Sequence, residues 1–249
     1  MAYLIAVAGK GGTGKTTVSA LLVRLLVEAD KGLVLAIDAD PNSNLGLALG
    51  IKTEKSISSI LERISSQPEA IPKGMAKDSF VQYEIQMAIA EEEGFDLLTM
   101  GAPEGPGCYC YVNNVLRQAI SKLVNDYDFV VVDNEAGLEH FSRRTTRKAD
   151  TLLVVSDPTV VGLRSAQRIK DLVEELKIPV KNKILLLNRV KGGVDKLNIN
   201  QTGLDYVGFL PWDEALLKIS ENGQSLFELS NNSQIISKLR ELGDRIWSN

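Results

Sequence analysis

Cysteine and histidine are almost absent from this chain of 249 residues. There are two cysteines, Cys108 and Cys110, and one histidine, His140. So low a count leaves no room for a disulfide framework or a histidine-built metal centre, and a disulfide across a single intervening residue would close a small, strained ring. Long apolar runs are also missing, since none approaches the roughly 20 residues of a bilayer span. The first apolar run is short and lacks the flanks of a secretion signal, so a cytoplasmic protein is expected. Neither charge sign dominates. Lysine and arginine number 28 and acidic residues 32, a net charge of -4. That balance argues against a chain whose main task is to coat nucleic acid or an anionic membrane, and neither partner is expected.

What is present is an ordinary globular composition, 44% hydrophobic and 24% charged. Apolar strand-like runs alternate with helical patterns along the whole length. This predicts one domain over residues 1–249, an α/β fold with a doubly wound, mostly parallel sheet covered by helices on both faces. The most informative stretch lies near the start. Leu4 to Ala8 reads as a strand, and Val18, Leu21, Leu22, Leu25 and Leu26 mark one face of a helix. Between them stands Gly9-Lys10-Gly11-Gly12-Thr13-Gly14-Lys15-Thr16-Thr17, which meets the spacing G-x-x-x-x-G-K-[ST]. Strand, glycine-rich loop and helix occur in the order of a phosphate-binding loop. Backbone N–H groups of Gly11 to Thr17 would cradle phosphate, with the helix N-terminus behind them. Lys15 would reach the outer phosphates, and the Thr16 hydroxyl would ligate Mg²⁺.

Further along, Leu33 to Ile37 reads as a second strand ending in Asp38-Ala39-Asp40-Pro41. Ligands in open parallel sheets bind beyond the carboxyl ends of strands, so both aspartates are expected near the phosphates. Asp38 would act on Mg²⁺ through its water shell, while Asp40 competes with Asn42 and Ser43 as a helix cap. Phe129 to Val132 is a strand ending at Asp133, the pattern of a carboxylate that supports the Mg²⁺ shell, with 134–137 as the switch loop after it. Asn44 to Ala48 is expected to be a short helix, and Ile57, Ile60, Leu61 and Ile64 share a helical face. The alternation of Val81, Tyr83, Ile85, Met87 and Ile89 suggests a strand, and the acidic run after it a helix, in an ambiguous stretch. Strands are also expected at 95–100, 152–155, 184–187 and 206–210, with helices from about Val112 to Val124, around Arg143, Arg144, Arg147 and Lys148, around Ile169, and at the C-terminus.

With a second lysine, Lys10, the string Lys10-Gly-Gly-Thr-Gly-Lys15-Thr resembles the deviant Walker A of the Min/Par/nitrogenase-iron-protein/arsenite-pump group of P-loop ATPases. The resemblance implies an ATP- and Mg²⁺-dependent homodimer in which Lys10 reaches the partner's nucleotide. It also implies that Asp40 positions the attacking water, and that Asn188, Pro211 and Asp213 border the adenine.

The cysteines stand in Gly105-Pro106-Gly107-Cys108-Tyr109-Cys110, a loop expected to precede a helix, where thiolate is favoured. One C-x-C provides two sulfur ligands, whereas a tetrahedral thiolate site needs four. A two-fold axis would supply the other pair, making a Zn²⁺ or Ni²⁺ site at a subunit interface. With the other motifs in the same order, this segment is similar to CooC-type ATPases, maturation factors that insert nickel into carbon monoxide dehydrogenase. The resemblance implies ATP hydrolysis to ADP and phosphate, coupled to metal delivery by Cys108 and Cys110. A related factor serving acetyl-CoA synthase and a MinD/ParA-like positioning ATPase remain alternatives, as does a zinc clip that only holds a dimer.

Overall fold

The computed structural model describes residues 2–53, 55–102, 118, 120–136 and 148–247. Eight strands form one sheet: β1 (Tyr3–Gly9), β2 (Val34–Ala39), β3 (Ala90–Glu92), β4 (Phe95–Thr99), β5 (Phe129–Asn134), β6 (Ala149–Ser156), β7 (Val180–Val190) and β8 (Asp205–Pro211). Their order across the sheet is β3-β4-β2-β5-β1-β6-β7-β8. Every pairing is parallel except β3 with β4.

The central strands β1, β2, β5 and β6 are buried nearly end to end, which is why they read as unbroken apolar runs rather than alternating ones. Side chains of successive strand residues go to opposite faces and build two cores. On one face Ile5, Val7, Ala36 and Val131 pack against α1 (Lys15–Glu28), α2 (Leu45–Leu49) and α7 (Gln234–Trp247). On the other, Leu4, Ala6, Ile37 and Val132 pack against α3 (Ile57–Ser66), α4 (Lys77–Gln86) and α5 (Val160–Glu175). A further helix, α6 (Glu214–Glu221), has no counterpart among the elements expected from the sequence. Among the described residues no helix is long and apolar enough to cross a membrane.

The stretch 77–92 is the reverse of its sequence pattern. Residues 77–86 are helical, and the acidic run 90–92 is strand. The two-residue spacing misled because Tyr83 and Met87 are exposed, while Phe80, Val81 and Ile85 share the buried helical face. The Glu-rich segment forms β3 because Glu93-Gly94, with Gly94 at φ 87°, turns it tightly back onto β4. Of the helix expected from about Val112 to Val124, residues 120–123 are helical and 124–126 form a 3-10 turn. Cys108, Cys110 and the arginines at 143, 144 and 147 lie outside the described residues.

Candidate nucleotide site

β1 ends at Gly9, α1 begins at Lys15, and the phosphate loop joins them at the carboxyl edge of the sheet. Two glycines are required here. A Cβ on Gly9 would lie 2.3 Å from the Val155 carbonyl oxygen, so no side chain fits. Gly14 is the N-cap of α1 at φ 90°, a left-handed backbone that favours glycine, and a Cβ there would meet Asn188 Nδ2 at 2.5 Å. No side chain caps α1. Its first amides therefore stay available at the point where the loop would place an anion.

The loop is held from within and from outside. Thr13 is buried and its hydroxyl donates to the Lys10 carbonyl at 2.9 Å. Asn188 Nδ2 donates to the Thr13 carbonyl at 2.9 Å, and Arg189 Nη1 to that of Gly12 at 2.8 Å. Lys15 is buried, whereas Lys10, Gly11 and Gly12 are exposed. Thr16 and Thr17 stand on the first turn of α1, half-buried.

Three parallel strands bring the carboxylates to the same edge. Asp38 on β2 lies in register with Asp133 on β5 and Thr99 on β4. Both aspartates are fully buried. Asp133 Oδ1 accepts from Ser19 Oγ at 3.1 Å, and the Thr16 hydroxyl lies near enough to favour the charged carboxylate. Its second oxygen, Oδ2, is buried without any hydrogen-bond partner. Burial pushes Asp133 up to about 6; the Thr16 and Ser19 hydroxyls and the Lys15 charge pull the other way. Asp38 is pushed further, to about 7, by burial and by the Asp133 charge, against the pull of the Leu45 and Asp40 amides. An orphaned anionic oxygen beside the Thr16 hydroxyl at a phosphate loop is the donor set that a hard cation such as Mg²⁺ takes.

Asp38 also caps α2, with Oδ2 accepting from the Leu45 N–H at 2.8 Å. The expected contest among Asp40, Asn42 and Ser43 for that cap does not arise, because the buried carboxylate of β2 reaches the helix first. Asp40 is half-buried, and its Oδ1 accepts from the Asn42 N–H at 2.9 Å and from Asn42 Nδ2 at 2.8 Å. This local turn leaves Asp40 on the rim, close enough to Asp38 and Asp133 to raise both. Ala136, just past β5, faces Gly11 at van der Waals distance from a Cβ placed there.

Pro211 ends β8, and Asp213 is the N-cap of α6. Its carboxylate accepts from the Leu216 N–H at 3.0 Å and from Ser233 Oγ at 2.7 Å. Those bonds hold it below the usual carboxylate range against the opposing effect of burial. Beside it Lys191 Nζ lies 3.9 Å from the centroid of the Trp212 ring. Sequence reasoning missed Ser19, Thr99 and Arg189. Ser19 had a readable signal, four residues after Lys15 on the same helical face; the other two depend on strand register and a bulge.

The phosphate loop, Asp38, Asp40, Asp133, Asn188, Arg189, Pro211 and Asp213 all fall within a match to the CobQ/CobB/MinD/ParA nucleotide binding domain model, which covers residues 4–227. An uncharacterized ATP-binding protein of Methanocaldococcus jannaschii is 41% identical over 98% of both chains. The carbon monoxide dehydrogenase accessory protein CooC of Rhodospirillum rubrum is 32% identical over 91% of this chain and 90% of its own. Among solved structures, the septum site-determining protein MinD of Pyrococcus horikoshii, complexed with Mg-ADP, superposes with a TM-score of 0.73 at 21% identity. It covers 100% of this chain and 97% of its own. A preformed phosphate loop with buried carboxylates beside it, inside a family match of this extent, leads to one conclusion: the chain belongs to the CobQ/CobB/MinD/ParA nucleotide-binding P-loop family.

Proposed function

We propose that this protein is a homodimeric ATPase of one domain that hydrolyses ATP to load nickel into carbon monoxide dehydrogenase, carrying the metal on Cys108 and Cys110 of two copies. One observation carries the reading: the cysteine segment follows β4 in the chain, and β4 ends at the carboxyl edge that also bears the phosphate loop, Asp38 and Asp133. Nucleotide state and metal ligands are then linked through one strand end. The similarity to CooC over nine-tenths of both chains supports the same client. The metal carried is cargo, Ni²⁺ in the productive cycle, and Zn²⁺ satisfies the same four thiolates.

Thr16 and Asp133 would hold Mg²⁺ and Asp38 its water shell; the ion, when bound, supplies charge neutralisation at the outer phosphates. Lys15 binds the phosphates from the loop, and Gly11 to Thr17 bind through their amides. Asp40, on the rim, orients the attacking water and accepts its proton. Lys10, exposed at the start of the loop, reaches the partner's nucleotide and ties hydrolysis to the closed dimer. Asn188, Pro211 and Asp213 form the wall that the adenine meets. Closure gathers the four thiolates; hydrolysis to ADP opens them.

Equilibrium dialysis of Ni²⁺ against the dimer, with and without a non-hydrolysable ATP analogue, tests the coupling. Tighter Ni²⁺ binding with the analogue is expected, and its loss in a Cys108→Ser, Cys110→Ser double variant. Equal affinity in all four conditions would refute the reading. The similarity in fold to MinD favours a second one, a positioning ATPase. That reading requires lipid- or DNA-stimulated hydrolysis and indifference to the cysteine substitutions.

A further inference from the structure

Strand β7 changes character where it meets the phosphate loop. Leu187 lies opposite Phe209 of β8, and Val190 lies opposite Pro211. Three steps along β7 match two along β8, so β7 carries one extra residue, a bulge. Inside it Arg189 takes φ 60°, a left-handed backbone that costs a non-glycine residue about 1 kcal/mol or more.

The bulge has a geometric product. Consecutive strand residues point to opposite faces, so Asn188 and Arg189 could not both reach one loop from a regular strand. Here they do. Asn188, 3% exposed, donates to the Thr13 carbonyl, and Arg189 donates to the neighbouring carbonyl of Gly12. Asn188 Oδ1 accepts the Arg189 N–H at 2.9 Å and so braces the left-handed turn. Both bonds to the loop go to backbone carbonyls. A loop that aims its N–H groups at an anion must turn its carbonyls away, and those carbonyls need donors on the outside.

We infer that Asn188 and Arg189 are positioning residues that hold the phosphate loop in its anion-accepting shape before any nucleotide arrives. The strain at Arg189 is what keeps its side chain on the loop. This rests on the nucleotide-binding reading of the site and adds to it the device that preorganises the cradle.

Arg189→Gly is the informative variant, because glycine accepts the left-handed backbone and only the grip is removed. In nucleotide-free protein, amide hydrogen exchange across residues 10–14 should rise about fivefold, the worth of one hydrogen bond. The Kd for ATP should weaken by roughly three- to tenfold while kcat changes less than about twofold. Melting temperature should not fall, and Arg189→Lys should recover part of the affinity. Unchanged exchange together with unchanged Kd in Arg189→Gly overturns the inference, as does a drop in stability that accounts for the whole loss of affinity. Were the wild-type chain to bind no ATP, the nucleotide reading would fall, and the exchange measurement would still decide whether the bulge holds the loop.

Discussion

Asp38→Asn should change the stability of the nucleotide-free protein in a way that depends on pH. Asp38 is buried, and its carboxyl is lifted from 3.8 to about 7. Above pH 3.8 the unfolded chain gives up this proton while the folded chain keeps it. The folded state then binds more protons, so stability falls as pH rises, until the folded group itself ionises near 7. Each pH unit in that window costs about 1.4 kcal/mol. Between about pH 5 and about pH 8.5 the wild-type chain loses roughly 3 kcal/mol through this one group. Asparagine loses nothing over the same range, although its single oxygen can keep only one of the two amides that Asp38 accepts, from Leu45 and Asp40, at a constant cost of about 1 kcal/mol. The variant should thus gain on the wild type by roughly 3 kcal/mol between the lower pH and the higher one. Urea unfolding at both pH values, with a chelator to remove divalent cations, measures this change in the gap. A wild-type-to-variant gap that stays the same at both pH values would refute the assignment of a raised, burial-driven carboxyl to Asp38.

Asp40→Asn should retain ATP binding and lower kcat by about a hundredfold, the typical worth of a positioned base, in a steady-state phosphate-release assay. Gly14→Ala should abolish tight ATP binding and cost about 1–3 kcal/mol by thermal melting, since the added methyl collides with Asn188 and the backbone must leave its left-handed conformation. Arg24→Met should cost about 3 kcal/mol or more in urea unfolding. The Arg24 guanidinium is 3% exposed and donates to the carbonyls of Leu226 and Leu229 and to Asn231, tying the helix behind the phosphate loop to the C-terminal segment.

Nearly all of the phosphate loop was legible because its chemistry is local. Gly9, Gly14, Lys15 and Thr16 lie within one strand-loop-helix unit, and their spacing along the chain is their spacing in the fold. The aspartates were legible for a related reason. Asp38 and Asp133 each close an apolar run, and parallel strands present such ends at one edge. The stretch 77–92 misled, because exposed Tyr83 and Met87 imitate a strand period that the buried face of α4 does not have.

The sequence by itself determined most of the strand-helix alternation, the phosphate loop and the placing of Asp38 and Asp133 at strand ends, since these depend on patterns a few residues long. Only the tertiary structure decided that Asp38 caps α2, that Asp213 is occupied by Leu216 and Ser233, that Arg24 is buried among distant carbonyls, and that a bulge in β7 turns Asn188 and Arg189 onto a loop some 175 residues earlier in the chain. Such contacts join segments remote in sequence. They depend on strand order and on one extra residue in a register, and neither leaves a periodic trace in the chain.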